Sequence, residues 1–256
     1  MNILFIGDVV GRPGRTVLRE HLSQLIHEHK IDFTIVNGEN AAHGKGITER
    51  IFNELIGYGA DVITMGNHTY SKASIYDIID HKQLIVPLNM EMPVNAQGYR
   101  TFEVMNKKVL VSNMCTMAFM QNVIASPYTI SDAIIASDAD IKIVDLHGEA
   151  TAEKIAYMHY YKHDLTAIVG THTHIQTADE DIFNGCAYIS DVGMCGSYES
   201  IIGRDIAEVH AQLVNKEHTH YTVSKNPAVL CGVVITIDDE TNRAVNIQRI
   251  QIRPSS

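Results

Sequence analysis

Short apolar runs rich in β-branched residues recur along the chain, at Ile3–Ile6, Phe33–Val36, Val62–Met65, Ile141–Val144, Ala167–Val169, Ala187–Ile189 and Ala228–Ile237. Runs of this length between turn residues predict buried strands. Between the early ones the apolar spacing turns helical. Val17, Leu18, Leu22, Leu25 and Ile26 share one face, as do Ile51, Phe52, Leu55 and Ile56 before Gly57 and Gly59 stop the helix. Ile75, Ile78 and Ile79 suggest a third helix. Thr129 followed by Asp132 reads as a capping box before Ala133–Ala136.

Strand and helix in alternation imply parallel βαβ units. The last part differs. Tyr221–Val223, Ala228–Ile237 and Ala244–Ile252 are strand-like, with turn residues Asp238–Asn242 between the last two. They predict an antiparallel hairpin that completes a mixed sheet. With no repeat, low-complexity tract or linker, residues 1–256 read as one α/β domain with a frayed tail from Arg253 to Ser256.

Composition adds exclusions. Hydrophobic residues make up 45% of the 256 and charged residues 20%, as expected of a chain that buries a core. No apolar run approaches the roughly 20 residues of a membrane span. The N-terminus is a poor signal peptide, because Asp8 interrupts it at once. Cys115, Cys186, Cys195 and Cys231 lie far apart with no CxxC pair, which predicts reduced, buried thiols in a cytoplasmic protein. A net charge of −10 makes duplex nucleic acid a poor partner.

The chemistry lies at the strand ends. Ile3–Ile6 leads to Gly7-Asp8, Phe33–Val36 to Asn37-Gly38-Glu39-Asn40, and Val62–Met65 to Gly66-Asn67-His68. Ile141–Val144 leads to Asp145-Leu146-His147-Gly148-Glu149, and Ala167–Val169 to Gly170-Thr171-His172-Thr173-His174. Taken singly, each reads as well as ordinary structure: Asp8 as a turn or N-cap residue, Glu39-Asn40 as a polar loop, Asn67-His68 as a helix cap, His147 as a core histidine. His172 and His174, two apart, would face one site if they lie on a strand. Together, five strand ends carrying such residues point to one site, since open α/β sheets bind ligands beyond the carboxyl ends of their strands.

Nitrogen and oxygen donors without thiolate suit Fe, Mn, Zn, Co or Ni and argue against a site for Mg or Ca alone. Eight candidate side chains exceed the needs of one ion, so two ions bridged by a carboxylate are expected.

At this point the residues resemble a known family. Gly7-Asp8, Gly66-Asn67-His68 and Gly170-Thr171-His172-Thr173-His174 look like the calcineurin-like metallophosphoesterases. The strings Phe5-Ile-Gly-Asp-Val-Val-Gly11, Asn37-Gly-Glu-Asn-Ala-Ala-His-Gly-Lys-Gly46, Gly170-Thr-His-Thr-His-Ile-Gln-Thr-Ala-Asp179 and Ile189-Ser-Asp-Val-Gly-Met194 resemble its bacterial YmdB-like branch. The resemblance implies a four-layer αββα sandwich with mixed β-sheets. It implies one metal held by Asp8, Glu39, Asn40 and His174, and another by Glu39, Asn67, His147 and His172, with Glu39 bridging. His68 would be catalytic rather than a ligand. The broad family usually carries Asp-x-His at its first strand, but here Val10 stands in the histidine's place and Asn40 takes over its role. The ions implied are two divalent or trivalent transition metals, iron first and manganese or zinc as alternatives.

The expected activity is hydrolysis of small phosphodiesters, above all 2',3'- or 3',5'-cyclic nucleotides, by metal-activated water with His68 assisting the leaving group. Three alternatives stand beside it: a phosphomonoesterase or protein phosphatase, a metal-stabilised regulatory protein with vestigial activity, and a metal-dependent amidohydrolase. The expected partner is a small nucleotide substrate, with no membrane and with a homo-oligomer compatible with the sequence. The loop His43-Gly44-Lys45-Gly46, with Arg12 and Arg15, reads either as a phosphate-contacting cover or as plain surface. Specificity is expected in the loops 88–99 and 114–128, where Met117, Phe119 and Met120 fit the core better than a nucleobase pocket.

Overall fold

The computed structural model describes residues 1–254, so the last two serines of the expected frayed tail lie outside the described residues. The first half of the chain contains β1 (Asn2–Ile6), β2 (Asp8–Val9), α1 (Gly11–Glu28), β3 (Phe33–Asn37), α2 (Glu49–Tyr58), β4 (Val62–Thr64), β5 (Leu84–Ile85), β6 (Tyr99–Val104) and β7 (Lys107–Cys115). The second half contains α3 (Pro127–Ile130), α4 (Asp132–Ile135), β8 (Ile141–His147), α5 (Thr151–Tyr161), β9 (Ala167–Thr171), β10 (Asp181–Phe183), β11 (Cys186–Ile189), β12 (Met194–Ser197), α6 (Ile206–Leu213), β13 (Ala228–Ile237) and β14 (Ala244–Ile252).

Two mixed sheets result. The first has the order β2-β12-β13-β1-β3-β4-β5, with β14 also paired to β13; the second has the order β10-β11-β9-β8-β7-β6. In the first, β1, β3, β4 and β5 run parallel and β13 joins β1 antiparallel. In the second, β7, β8, β9 and β11 run parallel. Three apolar clusters define the layers. Leu4 and Ile6 meet Leu18 and Leu22 of α1 and Phe52 of α2 on the outside of the first sheet. Phe5, Ile35 and Val233 meet Val111, Ile143 and Val169 between the sheets. Val144 and Ile168 meet Tyr157 and Met158 of α5 outside the second. The architecture is therefore the αββα sandwich.

The β13–β14 hairpin has the expected boundaries. Elsewhere the boundaries differ, for local reasons. Gly57 lies inside α2, and only Gly59, left-handed at φ 117°, ends that helix. The third helix is two short 3₁₀ turns, Thr69–Ser71 and Ala73–Asp77, because Lys72 between them is extended. The capping box is absent. Ser126 caps α3 ahead of Pro127, and the Thr129 hydroxyl donates back to the Ser126 carbonyl at 2.8 Å. Tyr221–Val223 is no strand; Val223 makes one isolated bridge to Arg204. Met117 and Phe119 are exposed rather than core, Phe119 by 87%. The tail is anchored at its start, where the Arg253 guanidinium lies over the Tyr198 ring. All four cysteines are buried and unpaired. No helix among the described residues is long and apolar enough to cross a membrane.

Candidate metal centre

Because the parallel strands of both sheets end on the same side, residues far apart in sequence meet between the sheets' ends. Asp8 follows β1, Glu39 and Asn40 follow β3, Asn67 and His68 follow β4, His147 ends β8, and His172 and His174 follow β9. The structure brings all eight predicted residues into this region, seven of them in two subclusters and His68 beside Glu39.

In one subcluster His147 Nε2 is the hub. It lies 2.9 Å from Asn67 Oδ1, 3.0 Å from His172 Nδ1 and 3.3 Å from Glu39 Oε1. In the other, His174 Nε2 lies 3.3 Å from Asn40 Oδ1 and 3.9 Å from Asp8 Oδ1. The backbone N–H of His172 donates to Asp8 Oδ2 at 3.2 Å and ties the two together. His172 and His174 therefore serve different subclusters. They do so from a loop past β9, at φ 103° and 67°, not from a strand face as the i, i+2 spacing suggested. His68 contributes its backbone N–H to Glu39 Oε2 at 3.0 Å, and its half-buried ring makes no hydrogen bond to the described residues.

Electrostatics shows what this arrangement lacks. Burial pushes the Asp8 carboxyl up to about 7 despite the nearby histidines. Burial also acts on Glu39, but the charge and hydrogen bond of His147 outweigh it and hold that carboxyl below the usual range. His147 is the counterpart: burial alone would lower it, but the Glu39 carboxylate more than offsets this and raises it to about 9. His172, buried and next to that positive ring, falls to about 3. One proton on His147 Nε2 thus faces three acceptors: Asn67 Oδ1, Glu39 Oε1 and His172 Nδ1. Asp8 Oδ1 is buried with no hydrogen-bond partner among the described residues. A multivalent cation satisfies donor atoms in this pattern where a single proton cannot. Glu39, His147 and His172 offer ligand atoms all within 4.8 Å of one another. Gly66 leaves the room for this, because a Cβ there would overlap both Glu39 Oε2 and His147 Nε2. The residues present fit a metal.

The surrounding shell draws on further residues of the same strand-end strings, whose role the strings do not disclose. His147 Nδ1 lies 2.9 Å from Thr171 Oγ1, whose hydroxyl donates to Asp145 Oδ1 at 2.6 Å. That chain places a proton on Nδ1 and, in the neutral ring, turns the Nε2 lone pair toward the subcluster. Asp145 Oδ2 accepts from Asn37 Nδ2 at 3.0 Å, and Asn37 Oδ1 accepts the Glu39 backbone N–H at 3.1 Å. One hydrogen-bonded line thus orients a ligand-type residue from each sheet. The histidine loop rests on a buried ion pair. Lys154 Nζ donates to the Thr171 carbonyl at 2.7 Å and to Asp191 Oδ2 at 3.1 Å, and Asp191 also accepts from the Thr173 and Gly193 N–H groups. His174 is aimed by the Ile202 carbonyl, 2.9 Å from its Nδ1.

The outlying cations divide. Arg15 is structural, bonded to the Ala41 carbonyl and paired with Glu54 at 3.2 Å. Arg12 and His43 line a separate cavity of about 930 Å³ that none of the eight residues reaches. Lys45 is exposed, stacks over Tyr221, and lies close enough to His68 to help lower its pKa, after burial.

Comparison with known proteins gives the family. The family model described as YmdB-like protein matches residues 4–250. A Bacillus subtilis protein named 2',3'-cyclic-nucleotide 2'-phosphodiesterase is 44% identical over 257 residues, covering 98% of this chain and 97% of its own. A crystal structure described as a novel phosphatase from Mycoplasma pneumoniae superposes with a TM-score of 0.94 at 34% identity, over 99% of this chain and 93% of that one. A hypothetical protein from Thermus thermophilus gives 0.93 at 30% identity, over the full length of both chains. The chain belongs to the YmdB-like family of calcineurin-like metallophosphoesterases.

Proposed function

We propose that the protein is a dinuclear-metal phosphodiesterase acting on small cyclic nucleotides, 2',3'-cyclic esters first. The observation that carries this reading is a pair of subclusters of nitrogen and oxygen donors, each short of a cation, tied together by the His172 N–H donating to Asp8 Oδ2. Asp8, Asn40 and His174 would hold one ion, Asn67, His147 and His172 the other, with Glu39 shared. Nitrogen and oxygen donors suit iron, manganese or zinc alike, and the family resemblance puts iron first. Such ions, when bound, neutralise phosphate charge and activate water at neutral pH.

The rest is done by the chain. The His68 ring makes no hydrogen bond to the described residues, which leaves it free to donate to the leaving alkoxide; its pKa, lowered first by burial, makes the protonated ring a stronger acid but a scarcer one at neutral pH. Its backbone N–H fixes Glu39 at the same time, which couples the acid's position to the site. Lys45, on a long and flexible side chain, supplies positive charge for a phosphate oxygen not held elsewhere. The name of the Bacillus subtilis relative supports a 2',3'-cyclic substrate, whereas the description of the Mycoplasma pneumoniae structure favours a phosphatase. Side-by-side turnover separates the two. Bis-p-nitrophenyl phosphate and 2',3'-cyclic nucleotides are expected to be hydrolysed faster than p-nitrophenyl phosphate; faster monoester hydrolysis across metals and pH refutes the diesterase reading.

A further inference from the structure

The geometry points to a nucleobase subsite in the cavity beside Asn67, with Tyr76 as its stacking platform. The cavity holds about 650 Å³ and is bounded at one end by Asn67, whose Oδ1 lies 2.9 Å from His147 Nε2. Asn67 is therefore shared by the cavity and the candidate metal centre. Its size is within the range of small-molecule sites, roughly 300–1,000 Å³.

Its walls suit a flat, uncharged ring. Tyr70 and Tyr76 stack with ring centroids 6.0 Å apart and planes 18° from parallel. Tyr70 is packed against the core, while Tyr76 is 55% exposed, so a third ring can extend the stack on a platform already fixed. Met90 and Met92 line the cavity with polarisable, adaptable surface. Among the described residues Glu91 is the one charged side chain lining it, which disfavours a phosphate there and directs the anionic end of a ligand to the metals. Glu91 and Asn122 offer acceptors for ring or amino N–H groups. The Tyr70 hydroxyl, buried without a partner among the described residues, is a further free group. The specificity determinant thus lies on the 3₁₀ segment Ala73–Asp77 and around residues 90–92, the second of which falls in the 88–99 loop that the sequence marks as a candidate.

This inference rests on the phosphodiesterase reading for the position of the phosphate, so its test keeps the two apart. Metal-loaded wild type, Tyr76→Phe and Tyr76→Ala are compared in calorimetric binding of adenosine 3'-monophosphate and of glycerol 3-phosphate. The same proteins are assayed for turnover of 2',3'-cyclic AMP and of baseless glycerol cyclic phosphate. Loss of one base stack is expected to weaken binding of the nucleotide and raise its KM by about 5–100-fold in Tyr76→Ala. Tyr76→Phe should stay near wild type, and the baseless ligands should be unaffected. Equal losses on both ligand types, or no loss on the nucleotide, overturn the subsite. If wild type hydrolyses neither cyclic diester, the phosphodiesterase reading falls, and the binding comparison still decides the subsite.

Discussion

Lys154 is the least expected residue of the structure, and replacing it by Met tests how the histidine loop is held. Its side chain is 1% exposed, as is that of Asp191, its partner at 3.1 Å. Removing one member of such a pair strands the other charge at a typical cost of about 3–5 kcal/mol. Asp191 keeps the N–H groups of Thr173 and Gly193, at 2.9 Å each, so the low end, about 3 kcal/mol, is expected. The change also frees the Thr171 carbonyl just before His172 and His174. Their left-handed backbones, at φ 103° and 67°, cost about 1–3 kcal/mol each and persist only where the surroundings hold them. Metal affinity should therefore fall along with stability. The assay is urea unfolding of metal-stripped wild type, Lys154→Met, Asp191→Asn and the double variant. The double should lose less than the sum of the singles by about 1–3 kcal/mol. A Lys154→Met loss below about 1 kcal/mol, or strict additivity, would refute the role given to this pair.

The same geometry fixes two further outcomes. His68→Ala should keep its full metal content and lose about 10²–10⁴-fold in kcat on substrates with alkoxide leaving groups, and much less on p-nitrophenyl diesters; equal loss on both removes the general-acid role. Thr171→Val takes the hydroxyl from between His147 and Asp145, and should weaken metal binding about 10–100-fold, with Thr171→Ser restoring most of it; an unchanged metal titration would show that the hydroxyl does not set the imidazole.

How much of this the sequence discloses depends on the range of each signal. Strand ends such as Gly66-Asn67-His68 are local strings, and the parallel βαβ rule assembles them in space, so the ligand-type residues are legible. The same rule brings in ends from two sheets. The way His172 and His174 part toward different subclusters is not legible, because positive φ at non-glycine positions depends on the tertiary frame. Asp145 has a signal: two residues before His147 on one strand, it shares that residue's side of the sheet. Lys154 has a weaker one, standing on the buried stripe of Tyr157, Met158 and Tyr161 where a lysine is out of place. Its partner Asp191, 37 residues away, cannot be guessed. The Tyr70–Tyr76 stack stays hidden because isoleucine spacing at 75, 78 and 79 imitates a continuous helix.

Glu39 is proposed to join two metal sites into one hydrolytic centre, and Glu39→Gln is the sharpest probe of that role. Wild type and variant, purified without chelator, are compared for metal ions per chain and for turnover of bis-p-nitrophenyl phosphate. Two ions per wild-type chain are predicted, with the variant losing metal and most of its turnover. A variant that keeps both its full metal content and wild-type turnover would contradict the bridging role of Glu39.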